Sequence, residues 1–98
     1  MSIGAQGVIS VASNIIPGVI SKLCEQCMEN NFTIATELYA KYSEFLSVLF
    51  IETNPMPLKA AMKALDMDSG EVRLPLTTLG GENHAKLISV MRETGLNV

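Results

Sequence analysis

Two cysteines with a Cys-x-x-Cys spacing, Cys24 and Cys27, are the residues whose pattern most suggests chemistry. Such a pair is typical of a redox site or of half a metal site. A thioredoxin-like pair would stand at a strand-to-helix turn, whereas these two cysteines lie inside a helical pattern. The chain has no other cysteine, and its one histidine, His84, lies far along the sequence. We therefore expect two buried thiols in a reducing compartment and no metal site.

The lysines are the second candidates for chemistry, because a lysine can form a Schiff base with a carbonyl substrate. The amine must then be activated by burial in an apolar pocket or by a neighbouring cation. Lys59 and Lys63 stand four residues apart, but their mutual repulsion is weak in solvent. A structural role is therefore expected for both, such as helix solvation or a salt bridge to Glu52. The other lysines lie on polar helix faces: Lys22, Lys41 and Lys86.

A few other residues could be read as functional, but simpler structural roles are expected for them. Tyr39 and Tyr42 fit the packing positions of a helix better than acid–base roles. His84 is expected on the surface near a helix N-terminus. The pair Gly80–Gly81 lacks the flanking pattern of a phosphate loop and is expected to form a turn into the last helix.

Length and composition exclude several classes of protein. The chain has 98 residues, which is enough for one domain at most. Its net charge is −3, and its basic residues are scattered singly, so no nucleic-acid surface is expected. No apolar run reaches the ~18 residues that span a bilayer, and residues 1–4 do not resemble a signal peptide. We expect a cytoplasmic protein that binds neither nucleic acid nor membranes.

The elements that would position these residues begin with a short strand at residues 7–11. This segment is apolar at nearly every position, as in a strand covered on both faces in a parallel sheet. No second strand is available to pair with it, which indicates an interrupted fold. Ser13 and Asn14 are predicted to cap a first helix, with Pro17 in its first turn.

Three more helices follow, so the predicted fold class is mainly α: a short N-terminal strand followed by about four helices. Two prolines one residue apart, Pro55 and Pro57, end one helix and open the next. Gly95 is well placed as the left-handed residue that ends the last helix. The predicted helices cover residues 33–49, a segment beginning near residue 58, and residues 82–94, with an irregular crossing segment over residues 72–79.

Three segments, in this order, resemble the C-terminal third of the dihydrodipicolinate synthase family. Residues 4–11 resemble the eighth strand of a (β/α)8 barrel and the approach to it. Residues 54–59, Asn-Pro-Met-Pro-Leu-Lys, resemble an Asn-Pro-Ile-Pro-x-Lys signature of the family's C-terminal helical domain. Residues 73–77, Arg-Leu-Pro-Leu-Thr, match a second signature there. The resemblance implies that residues 1–30 are the last strand and helix of a barrel, and that residues 31–98 are the helical domain.

The resemblance also implies an activity. Members of the family condense pyruvate with aspartate semialdehyde in lysine biosynthesis, through a lysine Schiff base and without a cofactor. The family's catalytic lysine, tyrosine and threonine have no counterpart in this sequence, so no catalytic residue carries over. The only site residue that does is Ile9, whose backbone carbonyl would face bound pyruvate from the end of the eighth strand.

Two main functional hypotheses follow. In the first, the chain is a fragment of the synthase, inactive alone, and pyruvate binds only in an intact enzyme. In the second, it is a non-catalytic helical interaction or oligomerisation module derived from the synthase. Another aldolase of the superfamily is a third reading, which the double-proline signature disfavours. An unpaired strand edge and an uncovered helix face predict a homo-oligomer, and the missing N-terminal part of the synthase is a further expected partner.

Overall fold

The computed structural model describes all 98 residues and contains four α-helices and no β-strand. The prediction of a mainly α fold is confirmed. The chain forms two compact units, Met1–Ser43 and Glu44–Val98, here called unit 1 and unit 2. A domain boundary after residue 30 stays a prediction. The helices are α1 (Pro17–Met28), α2 (Phe32–Val48), α3 (Met56–Ala64) and α4 (Gly81–Thr94), and a short 3-10 turn covers Ala12–Asn14.

The predicted N-terminal strand is wrong for this chain. Residues 5–10 have no regular secondary structure, and Val11 already has helical backbone angles, with φ −65° and ψ −43°. A strand exists through hydrogen bonds to a neighbouring strand, and no other segment of the chain supplies them. The side chain of Ile9 is therefore fully exposed (108%) instead of buried, and Val8 is 58% exposed.

The sequence-based prediction for the start of α1 is correct for Pro17 and wrong for the capping residues. Pro17 does occupy the first turn, where its missing N–H leaves no hydrogen bond unmade. Ser13 and Asn14 do not cap the helix, because they belong to the 3-10 turn before it. The Ser13 hydroxyl donates to the backbone carbonyl of Ser10 at 2.6 Å, and Asn14 also bonds back three residues. Ile16 precedes the helix instead, without a side-chain capping bond.

Unit 2 holds most of the buried apolar side chains. Helices α3 and α4 pack against each other, and an irregular segment over residues 65–80 connects them, as predicted for residues 72–79. Gly95 ends α4 with φ +97°, the left-handed conformation expected of it. Asn54–Pro55 and Leu74–Pro75 are cis peptide bonds. The buried apolar residues of unit 2 are Phe45, Val48, Leu49, Met56, Ala61, Leu87, Val90 and Met91.

No helix combines the length and the apolar character needed to cross a lipid bilayer.

Candidate functional site

The two cysteines lie on an open apolar groove of unit 1, with a volume of about 280 Å³. Both thiols are free and partly exposed, so the prediction that they are buried is wrong. Cys24 and Cys27 both line the groove from α1, and Tyr39, 54% exposed, lines it from α2. No group of three metal-ligating side chains comes together anywhere in the chain. The groove therefore presents an uncovered apolar surface with two thiols.

Ile9, the one site residue carried over by resemblance, lies in the irregular N-terminal segment. Its backbone carbonyl accepts no hydrogen bond from another group of the chain. Its neighbour Val8 contributes to the groove of unit 1, whereas Ile9 does not. The contact between the Ile9 carbonyl and pyruvate stays a prediction.

None of the lysines lies in a buried pocket. Lys59 forms an ion pair with Asp68, with 2.9 Å between Nζ and Oδ2, so the predicted partner Glu52 is wrong. The hydrogen bond from Lys59 lowers the pKa of Asp68 below its ordinary value, and the backbone N–H of Gly70 adds to this effect. The remaining lysines are exposed: Lys22, Lys41, Lys63 and Lys86.

Glu52 forms hydrogen bonds to residues at the start of α4. Its Oε2 accepts the backbone N–H of Gly80 at 3.0 Å and the side-chain amide of Asn83 at 2.9 Å. A carboxylate at this end of a helix is favoured by the helix dipole. The predicted turn at Gly80–Gly81 is wrong: Gly80 has extended backbone angles (φ −59°, ψ 148°) just before α4, and Gly81 is the first residue of that helix.

Unit 2 contains a cavity of about 420 Å³ that the sequence did not indicate. One wall is the face of α3 that carries Ala60 and Lys63, and His84 of α4 also lines the cavity. Residues 70–79 complete it from the irregular segment. Residues of an irregular segment follow no periodic pattern, so their sequence does not indicate that they line a cavity.

The chain is thus a helical protein with an open apolar groove in unit 1 and a cavity in unit 2. The chain belongs to the Dihydrodipicolinate synthetase family, whose model matches residues 1–94. The family resemblance found in the sequence is thereby confirmed.

Curated relatives named 4-hydroxy-tetrahydrodipicolinate synthase match nearly the whole chain. The protein from Sulfurihydrogenibium sp. (strain YO3AOP1) is 45% identical over 97 residues, which is 98% of this chain and 33% of that protein. The protein from Aquifex aeolicus (strain VF5) is 43% identical over 96 residues, with the same coverage. The chain thus spans about a third of the length of the relatives it matches. It corresponds to their C-terminal third.

Solved structures of the same family are also similar to nearly the whole chain. The dihydrodipicolinate synthase of Aquifex aeolicus superposes with a TM-score of 0.95 at 42% identity, over 97% of this chain and 32% of that one. The enzyme of Acinetobacter baumannii, solved with pyruvate, gives a TM-score of 0.93 at 32% identity, over 97% and 33% of the two chains.

Proposed function

We propose that this chain acts as the C-terminal part of a 4-hydroxy-tetrahydrodipicolinate synthase, which condenses pyruvate with aspartate semialdehyde through a lysine Schiff base. The supporting observation is the 45% identity over 97 residues, which falls within one third of the relative's length. The exposed apolar groove of unit 1 is consistent with this role, because such a surface is normally covered by protein. A cytoplasmic location and a role in lysine biosynthesis belong to the same proposal.

The chain by itself is expected to be inactive. A Schiff-base lysine is activated by desolvation or by a neighbouring cation. Lys59 is instead paired with a carboxylate, which stabilises its protonated form, and the other lysines are open to water. None of these amines has the surroundings that imine formation requires.

Borohydride trapping tests this inactivity. The chain is incubated with pyruvate and treated with sodium borohydride, and its mass is then measured by mass spectrometry. The full-length Aquifex aeolicus synthase is the positive control. We expect an adduct on the control and an unchanged mass for this chain. A reduced pyruvate adduct on any of its lysines would falsify the inactivity.

Reconstitution tests the synthase role. The chain is co-expressed with the first two thirds of the Aquifex aeolicus synthase, and the condensation of pyruvate with aspartate semialdehyde is measured. Recovered activity supports the role. A stable complex that traps no pyruvate contradicts it.

The contact between Ile9 and pyruvate can be read in the same complex. Labelling isoleucine carbonyl carbons with ¹³C and serine nitrogens with ¹⁵N marks only Ile-Ser pairs, which occur in this chain at Ile9, Ile20 and Ile88. The partner fragment remains unlabelled. Pyruvate should shift the Ile9 carbonyl signal and leave the other two in place. Equal movement of all three signals, or of none, excludes the contact.

A second candidate function is a helical interaction or oligomerisation module without catalysis. The observation in its favour is the apolar surface of unit 1, where Phe32 and Tyr39 line the groove and remain exposed. Apolar patches of this kind mark protein interfaces. A solved relative, described as a monomeric dihydrodipicolinate synthase variant, superposes with a TM-score of 0.92, so family membership alone does not decide the oligomeric state.

Sedimentation velocity tests the module. The chain should sediment as a dimer or larger at micromolar concentration, and the double variant Phe32→Ser with Tyr39→Ser should dissociate it. Leu74→Ser is the matched control, because Leu74 is 88% exposed in unit 2, outside the groove. A monomeric parent chain rejects the module, as does an equal effect of the control.

A further inference from the structure

The cavity of unit 2 is lined by both polar and apolar side chains. Its volume of about 420 Å³ lies within the range of small-molecule sites, roughly 300–1,000 Å³. The polar lining residues are Lys63, Thr77, Thr78 and His84, and the Thr77 hydroxyl already donates to the backbone carbonyl of Thr78. The apolar lining comes from Met56, Ala60, Ala64, Val72 and Leu79.

The position of Lys63 is constrained by its own aliphatic chain. A Cβ built on Gly70 would lie 2.6 Å from Cδ of Lys63 and 3.2 Å from its Cβ. The aliphatic part of the Lys63 side chain therefore lies against Gly70 and occupies the space that a side chain at position 70 would need. Gly70 has φ +80°, a conformation that glycine adopts without strain. This contact holds the base of the lysine at the cavity and leaves its amine exposed.

The amine of Lys63 has no anionic partner in the chain. The ion pair of this region is made by Lys59, one turn earlier on α3, with Asp68. Glu52 is already bonded to the start of α4. No carboxylate lines the cavity. The imidazole of His84 and the hydroxyl of Thr78 are also without hydrogen-bond partners in the chain. The cavity lining thus carries one cation, further hydrogen-bond donors and no carboxylate.

We propose that this cavity binds a small aliphatic carboxylate, independently of whether the chain takes part in catalysis. The carboxylate accepts hydrogen bonds from Lys63, with His84 and Thr78 as further donors. A hydrogen bond to a charged group is stronger than one between neutral groups, which favours the acid over an uncharged analogue. The aliphatic part lies against the small side chains of α3.

Hexanoate is the probe, and NMR is the readout. The chain has a single histidine, so the imidazole signals of His84 report on the cavity without ambiguity. Saturable shifts are expected, with a dissociation constant on the order of 1 mM for a ligand of this size. Hexanamide, which has the same shape without the charge, should bind about tenfold more weakly.

A pair of variants separates charge from packing. Lys63→Met keeps an unbranched chain over Gly70 and a good helix former, but removes the cation. Lys86→Met is the matched control on α4, outside the cavity. Hexanoate affinity should fall about tenfold in the first variant and stay unchanged in the second. The proposal is overturned if hexanoate gives no saturable shift, if hexanamide binds equally well, or if Lys63→Met binds hexanoate as tightly as the parent chain.

Discussion

In unit 2, α3, α4 and the end of α2 contribute to a core in which Phe45, Leu49 and Leu87 are wholly buried. In unit 1 most of the large apolar side chains are in contact with water. Its buried apolar residues are few, and the exposed ones include Val8, Ile9, Met28, Phe32, Ile34 and Tyr39.

The difference shows that a sequence can form amphipathic helices without forming a closed hydrophobic core. Both units contain amphipathic helices, but an amphipathic face becomes a core only when another element covers it. Unit 2 contains both partners of its main packing contact, α3 and α4. In unit 1 no element of the same unit covers the apolar groove, so unit 1 should contribute less than unit 2 to the stability of the chain.

The largest effect is expected from truncating the core of unit 2. Leu87→Ala removes a fully buried side chain and should cost about 2–5 kcal/mol in the free energy of unfolding. Leu23→Ala in unit 1 is the matched change on a partly exposed groove residue, and should cost about 1 kcal/mol. Urea denaturation followed by circular dichroism measures both. Equal losses would remove the distinction between the two units.

A glycine substitution in each unit comes next. Gly70→Ala places a Cβ against the Lys63 side chain at φ +80° and should destabilise the chain by about 1–3 kcal/mol. Gly18→Ala in α1 meets no atom within 4 Å, and should be neutral or stabilising by up to about 1 kcal/mol. Thermal melts of the two variants make the comparison. A Gly70→Ala chain as stable as the parent would show that the contact relaxes freely.

The carboxylate at the start of α4 is expected to matter less. Glu52→Gln keeps an acceptor oxygen but removes the charge beside the helix N-terminus, for a loss of about 0.5–1 kcal/mol. Glu37→Gln on the exposed face of α2 is the control and should change stability little. Urea midpoints at low and high salt give the measurement, because salt weakens interactions between charged groups. A loss no greater than that of the control contradicts the role of Glu52.

The smallest effect belongs to the ion pair of Lys59 with Asp68, which is visible as a dependence on pH. The pKa of Asp68 is lowered in the folded chain, so its contribution is present above its ordinary value of 3.8 and is lost as the pH falls through the lowered value. Asp68→Asn should therefore be slightly less stable than the parent near neutrality and equally stable in strong acid. Urea midpoints across this range test the sign. A stability difference that grows towards acid would refute it.

Much of the helical architecture could be predicted from residues that act locally. Pro17 opens α1, and Gly95 ends α4, because each residue's own backbone preference decides the outcome. The bounds of α2 and α4 are within one residue of those predicted.

The errors concern interactions with distant residues. The strand at residues 7–11 needed a partner that this chain does not supply, although its apolar pattern is that of a covered strand. Lys59 pairs with Asp68 and not with Glu52. Its partner depends on the conformation of the segment after α3, which the local sequence does not determine. The cavity of unit 2 was missed for the same reason, since residues 70–79 line it without any periodic pattern.

The two hydrogen bonds of Glu52 join points 28 and 31 residues apart in sequence. These bonds close a loop that contains α3 and the irregular segment. They fix the two ends of this loop, whatever the conformation of the residues between them. Doubling the length of such a loop costs only about 0.6 kcal/mol in closure entropy. An insertion within residues 71–79 would therefore cost little in closure entropy and leave the start of α4 in place, but it would displace side chains that line the cavity of unit 2.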